Sequence, residues 1–227
     1  MSFIYVILSL LGLLFTKKKL TSEVSDFVRR LGGSQRAVIV IWSIFFLPGT
    51  IVHELSHFLT AALFGARTGK IEIFPEYLEE ELEGNSSRVV LGSVQTQKLN
   101  PVQGFFVGTA PFITGLPLLI WLASLLVDSY QAKNTGILLL EGYFFFTIAN
   151  SFFPSWSDIK QAVPFVIISL FFGLVAWYFG FQLLLSSESS LWIVFDSFWK
   201  AISLSVILNL VFIGIFYILL SILRKKR

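Results

Sequence analysis

The sequence predicts an all-α polytopic membrane protein of about five to six transmembrane helices, one or more of them broken or re-entrant. A small β-strand module is expected between the second and third apolar segments. Three observations carry this. Of 227 residues, 55% are hydrophobic, Phe alone accounts for 25, and mean hydropathy is +0.79, outside the range of soluble domains. Several runs approach the ~20 apolar residues that a helix needs to cross a hydrocarbon core. One stretch, Gly65 to Asn100, is instead polar and acidic.

Taken in order, Phe3 to Phe15 is apolar but short, and Lys17, Lys18 and Lys19 follow it. A secretory signal carries its charge in front of the apolar run, so an uncleaved short helix is expected. Leu20 to Arg36 reads as a polar, partly amphipathic connector. Val38 to Phe64 is the second apolar run, in which Pro48-Gly49 should introduce a kink one turn before His53. In Gly65 to Asn100, "KIEIFPEYLEEELEG" and "SRVVLGSVQTQ" carry β-branched residues at period two, which suggests short strands. They form either an extramembrane loop or a hairpin that guides an extended peptide by strand addition.

Pro101 to Val127 crowds Gly104, Gly108, Pro111, Gly115 and Pro117 into its first half, which predicts a broken or re-entrant helix. Gly136 to Phe153 follows and ends in "NSFFPSWSD". Pro164 to Leu185 and Ile202 to Leu223 are further spans, nearly featureless, joined by a connector whose Trp192 and Trp199 suit a membrane interface. This organisation divides the chain into residues 1–37 (short apolar helix and basic connector), 38–160 (core, with the insert at 66–100) and 161–227 (accessory helices). Five or six full crossings cannot easily place both the Lys17 to Arg36 cluster and the Arg224 to Arg227 cluster on the cytoplasmic face.

Composition also excludes. With no cysteine there is no disulfide, thiolate ligand or cysteine nucleophile, so any metal must be held by nitrogen and oxygen. A net charge of +3, with basic residues near segment ends, fits membrane flanks and not nucleic acid. No nucleotide-binding region is expected.

The chemistry is concentrated in His53-Glu54-Leu55-Ser56-His57, an H-E-x-x-H pattern that holds the only two histidines of the chain. Residues four apart on a helix lie one above the other, so both imidazoles can bind one Zn²⁺ while Glu54 stays within reach of a water there. Ionisable groups at membrane depth carry a substantial desolvation penalty, which marks them as functional. The alternative is a hydrogen-bonded trio that glues helices together. A catalytic zinc wants a third protein ligand. Glu141, Asp158 and Asp196 are the oxygen donors on apolar-flanked segments, and Asp158 is favoured because Pro154 should force its segment end out of regular helix. Its competing role is to cap the helix that begins around Ile159 and Lys160.

A membrane-embedded "HELSH", then a polar strand-forming module, a Gly/Pro-broken segment and an Asn-Pro-Asp element resembles the site-2 protease family of intramembrane zinc metalloproteases. The resemblance covers about Trp42 to Lys160. The family's later element usually reads N-x-x-P-x-x-x-L-D-G. Here Asn150 and Asp158 keep its spacing, Pro154 falls one residue late, and Ser157 and Ile159 replace the leucine and glycine. The resemblance implies that His53, His57 and Asp158 hold Zn²⁺, that Glu54 is the general base and that Asn150 orients the scissile peptide. It implies a multi-pass protein of the cell membrane acting on a membrane protein or transmembrane peptide. Two other readings stand beside it: a non-proteolytic scaffold or metal-binding protein, and a zinc hydrolase of a lipid or small amide.

Overall fold

The structure is a computed structural model that describes residues 2–72, 76–77, 89–90, 93–96, 98–180 and 190–225. The described residues form, in order, α1 (Ser2–Arg30), α2 (Gln35–Phe45), α3 (Leu47–Leu63), β1 (Thr68–Glu72), β2 (Glu76–Tyr77), β3 (Val89–Val90), β4 (Ser93–Thr96), α4 (Pro101–Gln131), α5 (Thr135–Ser151), α6 (Trp156–Tyr178) and α7 (Ser190–Lys225). The chain is helical, with strands only where the sequence placed them.

Within α4, α6 and α7, the stretches Pro101–Gln131, Trp156–Val175 and Asp196–Leu223 are long and apolar enough to cross a membrane. The pair α2 and α3, separated by a short break, adds a fourth if it counts as one broken span. Among the described residues that makes three or four candidate spans, against the five to six expected. The shortfall lies in α5, only 17 residues long, and in α1, whose second half is charged.

The chain forms two compact units. The first comprises Met1–Gly49, Leu118–Asn150 and Ser190–Arg227; the second comprises Thr50–Pro117 and Ser151–Ser189. The units cut across the three-part division read from the sequence, because helices distant along the chain pack together.

In the first unit, α1 is not a short helix followed by a connector. It continues to Arg30 because nothing between Lys17 and Arg30 breaks a helix and because Leu20, Val24 and Val28, four residues apart, bury one face. That face packs with Val38, Phe46 and Phe146 against Leu208, Phe212, Ile213 and Phe216 of α7. Gly32 ends the helix at φ +86, where the Gly33 amide donates to the Val28 carbonyl (3.0 Å) and the Gly32 amide to that of Arg29 (3.1 Å). Helices α1 and α7 run side by side in the same direction: Tyr5 meets Trp199, Gly12 lies beside Val206, Thr16 beside Asn209 and Phe27 against Phe216.

Helix α2 ends at Phe45 and α3 begins at Leu47, so the expected disruption at Pro48-Gly49 falls just ahead of them. Proline fits the first turn of a helix, whose amides have no partner in any case, and Pro48 therefore starts α3 instead of kinking it.

In the second unit, α3 ends at Gly65 (φ +69), with the Ala66 amide bonded to the Ala61 carbonyl at 2.9 Å. Its end is pinned to the start of α4: Gln103 Nε2 donates to the Phe64 carbonyl (2.9 Å) and Phe64 stacks on Phe106. Strands β1 and β4 pair antiparallel with Ile71 opposite Val94, and β2 pairs with β3 with Tyr77 opposite Val89. Of the insert expected at 66–100, residues 73–75, 78–88, 91–92 and 97 lie outside the described residues, as does the Trp192 side chain.

Helix α4 corrects an expectation, since it runs unbroken for 31 residues with Pro111 and Pro117 inside it. Its glycines serve close packing instead of a break. A Cβ on Gly104 would come within 2.6 Å of the Gln161 carbonyl oxygen, and one on Gly108 would run into the Asp158 carbonyl. Helix α6 therefore seats its first turns directly on the α4 backbone. Farther along, Leu170, Phe171, Phe172 and Leu174 are all exposed, an apolar surface suited to lipid.

Candidate metal centre

His53 and His57 lie one turn apart on α3 with their Nε2 atoms 3.2 Å from each other. Each ring is fixed from behind. His53 Nδ1 is 2.6 Å from the Ser151 carbonyl oxygen, and His57 Nδ1 is 2.7 Å from that of Val107. A carbonyl oxygen only accepts, so both Nδ1 atoms carry a proton, and in a neutral ring Nε2 then presents a bare lone pair. Two such lone pairs facing each other at this distance repel unless a cation lies between them.

The two carbonyls are open for identifiable reasons. Ser151 is the last residue of α5, where carbonyls lack an intrahelical partner. Val107 precedes Pro111 by one helical turn, and proline has no amide hydrogen to give it.

Asp158 supplies the negative charge. Its Oδ1 lies 3.4 Å from His57 Nε2 and its Oδ2 lies 3.6 Å from His53 Nε2. The sequence offered Asp158 as helix cap or as ligand; it is not the cap, since α6 begins at Trp156 and Asp158 lies within its first turn, where its carboxylate faces both histidines. Ser155 is the residue that caps α6: the Asp158 amide donates to Ser155 Oγ (3.3 Å), and the Ser155 amide donates back to Asp158 Oδ2 (2.6 Å). His53, His57 and Asp158 bring one ligand atom each within 4.8 Å of one another, forming a group that could hold a metal ion. His57 and Asp158 are buried and His53 is half-buried. Glu54 is also buried and lies close enough to interact electrostatically with all three.

The other oxygen donors belong to the first unit. Asp196 accepts from Trp199 Nε1 (2.9 Å) and pairs with Lys200. Glu141 lies on α5 in the first unit, where its Oε2 is buried without a hydrogen-bond partner. Asn150, also in the first unit, has its amide occupied: Nδ2 donates to the Phe146 carbonyl (2.9 Å) and to Asn209 Oδ1 (3.0 Å), and Oδ1 accepts from Asn209 Nδ2 (3.0 Å). Asn209 in turn donates to Thr16 Oγ1 at 3.1 Å. A span read as featureless thus carries a fully buried amide.

Sequence reasoning missed Ser155, although Ser-x-x-Asp ahead of an apolar run is a helix-start signal. It also missed the Val107 and Ser151 carbonyls. The first could have been found by stepping back one turn from Pro111.

Fold and site together define a helical chain of membrane type with a buried His-His-Asp group able to take a metal ion. No protein-family model matches the chain, and neither a curated protein nor a solved structure matches it.

Proposed function

We propose that this protein is an intramembrane zinc metalloprotease of the cell membrane that hydrolyses peptide bonds in membrane-embedded or membrane-proximal substrates. One observation carries the reading. Two histidine Nε2 atoms lie 3.2 Å apart and one carboxylate faces both, its Oδ1 3.4 Å from His57 Nε2 and its Oδ2 3.6 Å from His53 Nε2, with Glu54 close enough to interact electrostatically with all three. Tetrahedral zinc with ligands at ~2.0–2.1 Å has edges of about 3.3 Å, which the 3.2 Å between the two Nε2 atoms matches, and one oxygen of Asp158 completes a set of three donors within 4.8 Å of one another. Three protein donors leave a fourth position for water or substrate, as a catalytic site requires.

When bound, zinc supplies a Lewis acid that polarises the scissile carbonyl and acidifies water. The protein does the rest. His53, His57 and Asp158 would hold the ion, with the Ser151 and Val107 carbonyls fixing the two rings from behind. Glu54 takes the proton of the attacking water and delivers it to the leaving amine nitrogen. A substrate helix must unwind before its peptide bond can be attacked, and the paired strands β1 and β4 offer an edge that could hold it extended. Asn150 would orient that peptide only by exchanging its bond to Asn209, which favours as a second reading a non-proteolytic metal-binding protein that kept the donor set.

The experiment is cleavage of a panel of transmembrane peptides by the purified full-length chain, beside Glu54→Gln. The variant should retain its metal and lose cleavage by at least about 100-fold, the scale of a general base. Cleavage at the parental rate by Glu54→Gln would sink the protease reading, and cleavage of no peptide by the parent would leave the second one.

A further inference from the structure

We infer that Pro111 is a positioning residue of the metal centre: by withholding an amide hydrogen inside α4 it leaves the Val107 carbonyl open for His57 Nδ1, and so turns His57 Nε2 toward the metal. In an unbroken helix the amide of each residue bonds the carbonyl one turn earlier. Helix α4 is unbroken through Pro111, yet at that residue the bond cannot form. A carbonyl left without a partner in an apolar interior is costly, and helices normally answer by kinking or by recruiting a side chain. Here the partner comes from another helix. His57, buried on α3, donates from Nδ1 to the Val107 oxygen at 2.7 Å.

The arrangement does two things at once. It satisfies the vacated carbonyl, and it fixes the tautomer of the imidazole, because a ring protonated at Nδ1 presents Nε2 as an acceptor. Pro111 itself is fully buried, so its place in the helix is not explained by solvent. Pro117 provides the internal comparison: it deprives the Ile113 carbonyl of the same bond, and no histidine is directed there.

The inference rests on the metal reading but not on proteolysis, so its test measures metal binding. Full-length protein in detergent would be titrated with Zn²⁺ against a chelator, and with Co²⁺ read by its visible ligand-field bands. Pro111→Ala returns the amide that competes for the Val107 oxygen and should weaken Zn²⁺ binding by about 10-fold or more, the usual consequence of losing an orienting partner. Its Co²⁺ bands should shift as well. Pro117→Ala, an equal gain in helix propensity, should leave both unchanged. Equal affinity and identical Co²⁺ spectra in the parent and Pro111→Ala would overturn the inference, as would equal losses in the two proline variants.

Should the parent bind no metal, the metal reading fails first and the ring ¹⁵N shifts of His57 decide the role of the proline separately. A parent protonated at Nδ1 beside a Pro111→Ala chain of mixed tautomers supports it. The same tautomer in both overturns it.

Discussion

Ser155 and Asp158 hold each other across the first turn of α6, the amide of each bonded to the side chain of the other, while the same carboxylate faces both histidines. A helix start thereby contributes to a group that could hold a metal ion. Ser155→Ala removes the Oγ acceptor and should lower stability by about 1 kcal/mol, with Ser155→Thr restoring most of it. Thermal unfolding followed by circular dichroism checks this; an unshifted transition in Ser155→Ala would show that the cap contributes nothing.

Elemental analysis of the purified chain should find about one metal per protein, absent in His53→Ala and His57→Ala and reduced in Asp158→Ala. Asp158→Asn separates the two roles of this residue. The amide oxygen can still accept from the Ser155 amide, so the fold should persist while metal binding falls by at least about 10-fold. Full occupancy in Asp158→Asn would move the third ligand to another group.

Gly108→Ala should be among the most damaging small substitutions in α4, because the added methyl meets the Asp158 carbonyl and must push the first turn of α6 away. We expect a loss of about 1–3 kcal/mol together with weakened metal binding, since the displaced turn carries Asp158. Gly173→Ala on α6, where a Cβ meets nothing within 4 Å, is the matched control and should be silent. Comparable metal affinity in the two variants would contradict the proposed seating of Asp158.

The amide pair of Asn150 and Asn209 predicts a non-additive mutant cycle. Asn209→Leu strands the Asn150 amide in an apolar interior and should cost about 1–3 kcal/mol, whereas the double change to Leu at both positions should recover much of that loss. Chemical denaturation of the two singles and the double measures the coupling. Simple additivity would mean that the pair is not an energetic unit.

Much of the site was legible because it is local. His53, Glu54 and His57 fall within one turn and a half, and helix periodicity alone points the two rings the same way. Asp158 was reachable through its spacing from Asn150 and Pro154, although its capping partner Ser155 was passed over. What could not be read depends on distant contacts. Asn209 gains meaning only beside Asn150 and Thr16, two helices far off in sequence. The prolines of α4 misled because a missing amide can be answered by a neighbour as well as by a bend, and only the fold reveals which. The length of α1 was underestimated for a related reason: its charged half is held by the apolar stripe it lays on α7, which outweighs local polarity.

The parallel course of α1 and α7 has a consequence for the lipid around them. Thr16 stands beside Asn209, midway along the apolar stretch Asp196–Leu223, and Lys17, Lys18 and Lys19 come immediately after it. A bilayer centred on that stretch meets these basic residues near its own midplane, where Lys19 is paired with Glu23 at 2.6 Å, Lys17 is half-buried and Lys18 is exposed. The aliphatic stem of Lys18 can carry its charge only part of the way to the surface, so the acyl layer on this flank would be drawn thin or wetted. The protein would then deform its host membrane locally, with water brought inward along α1.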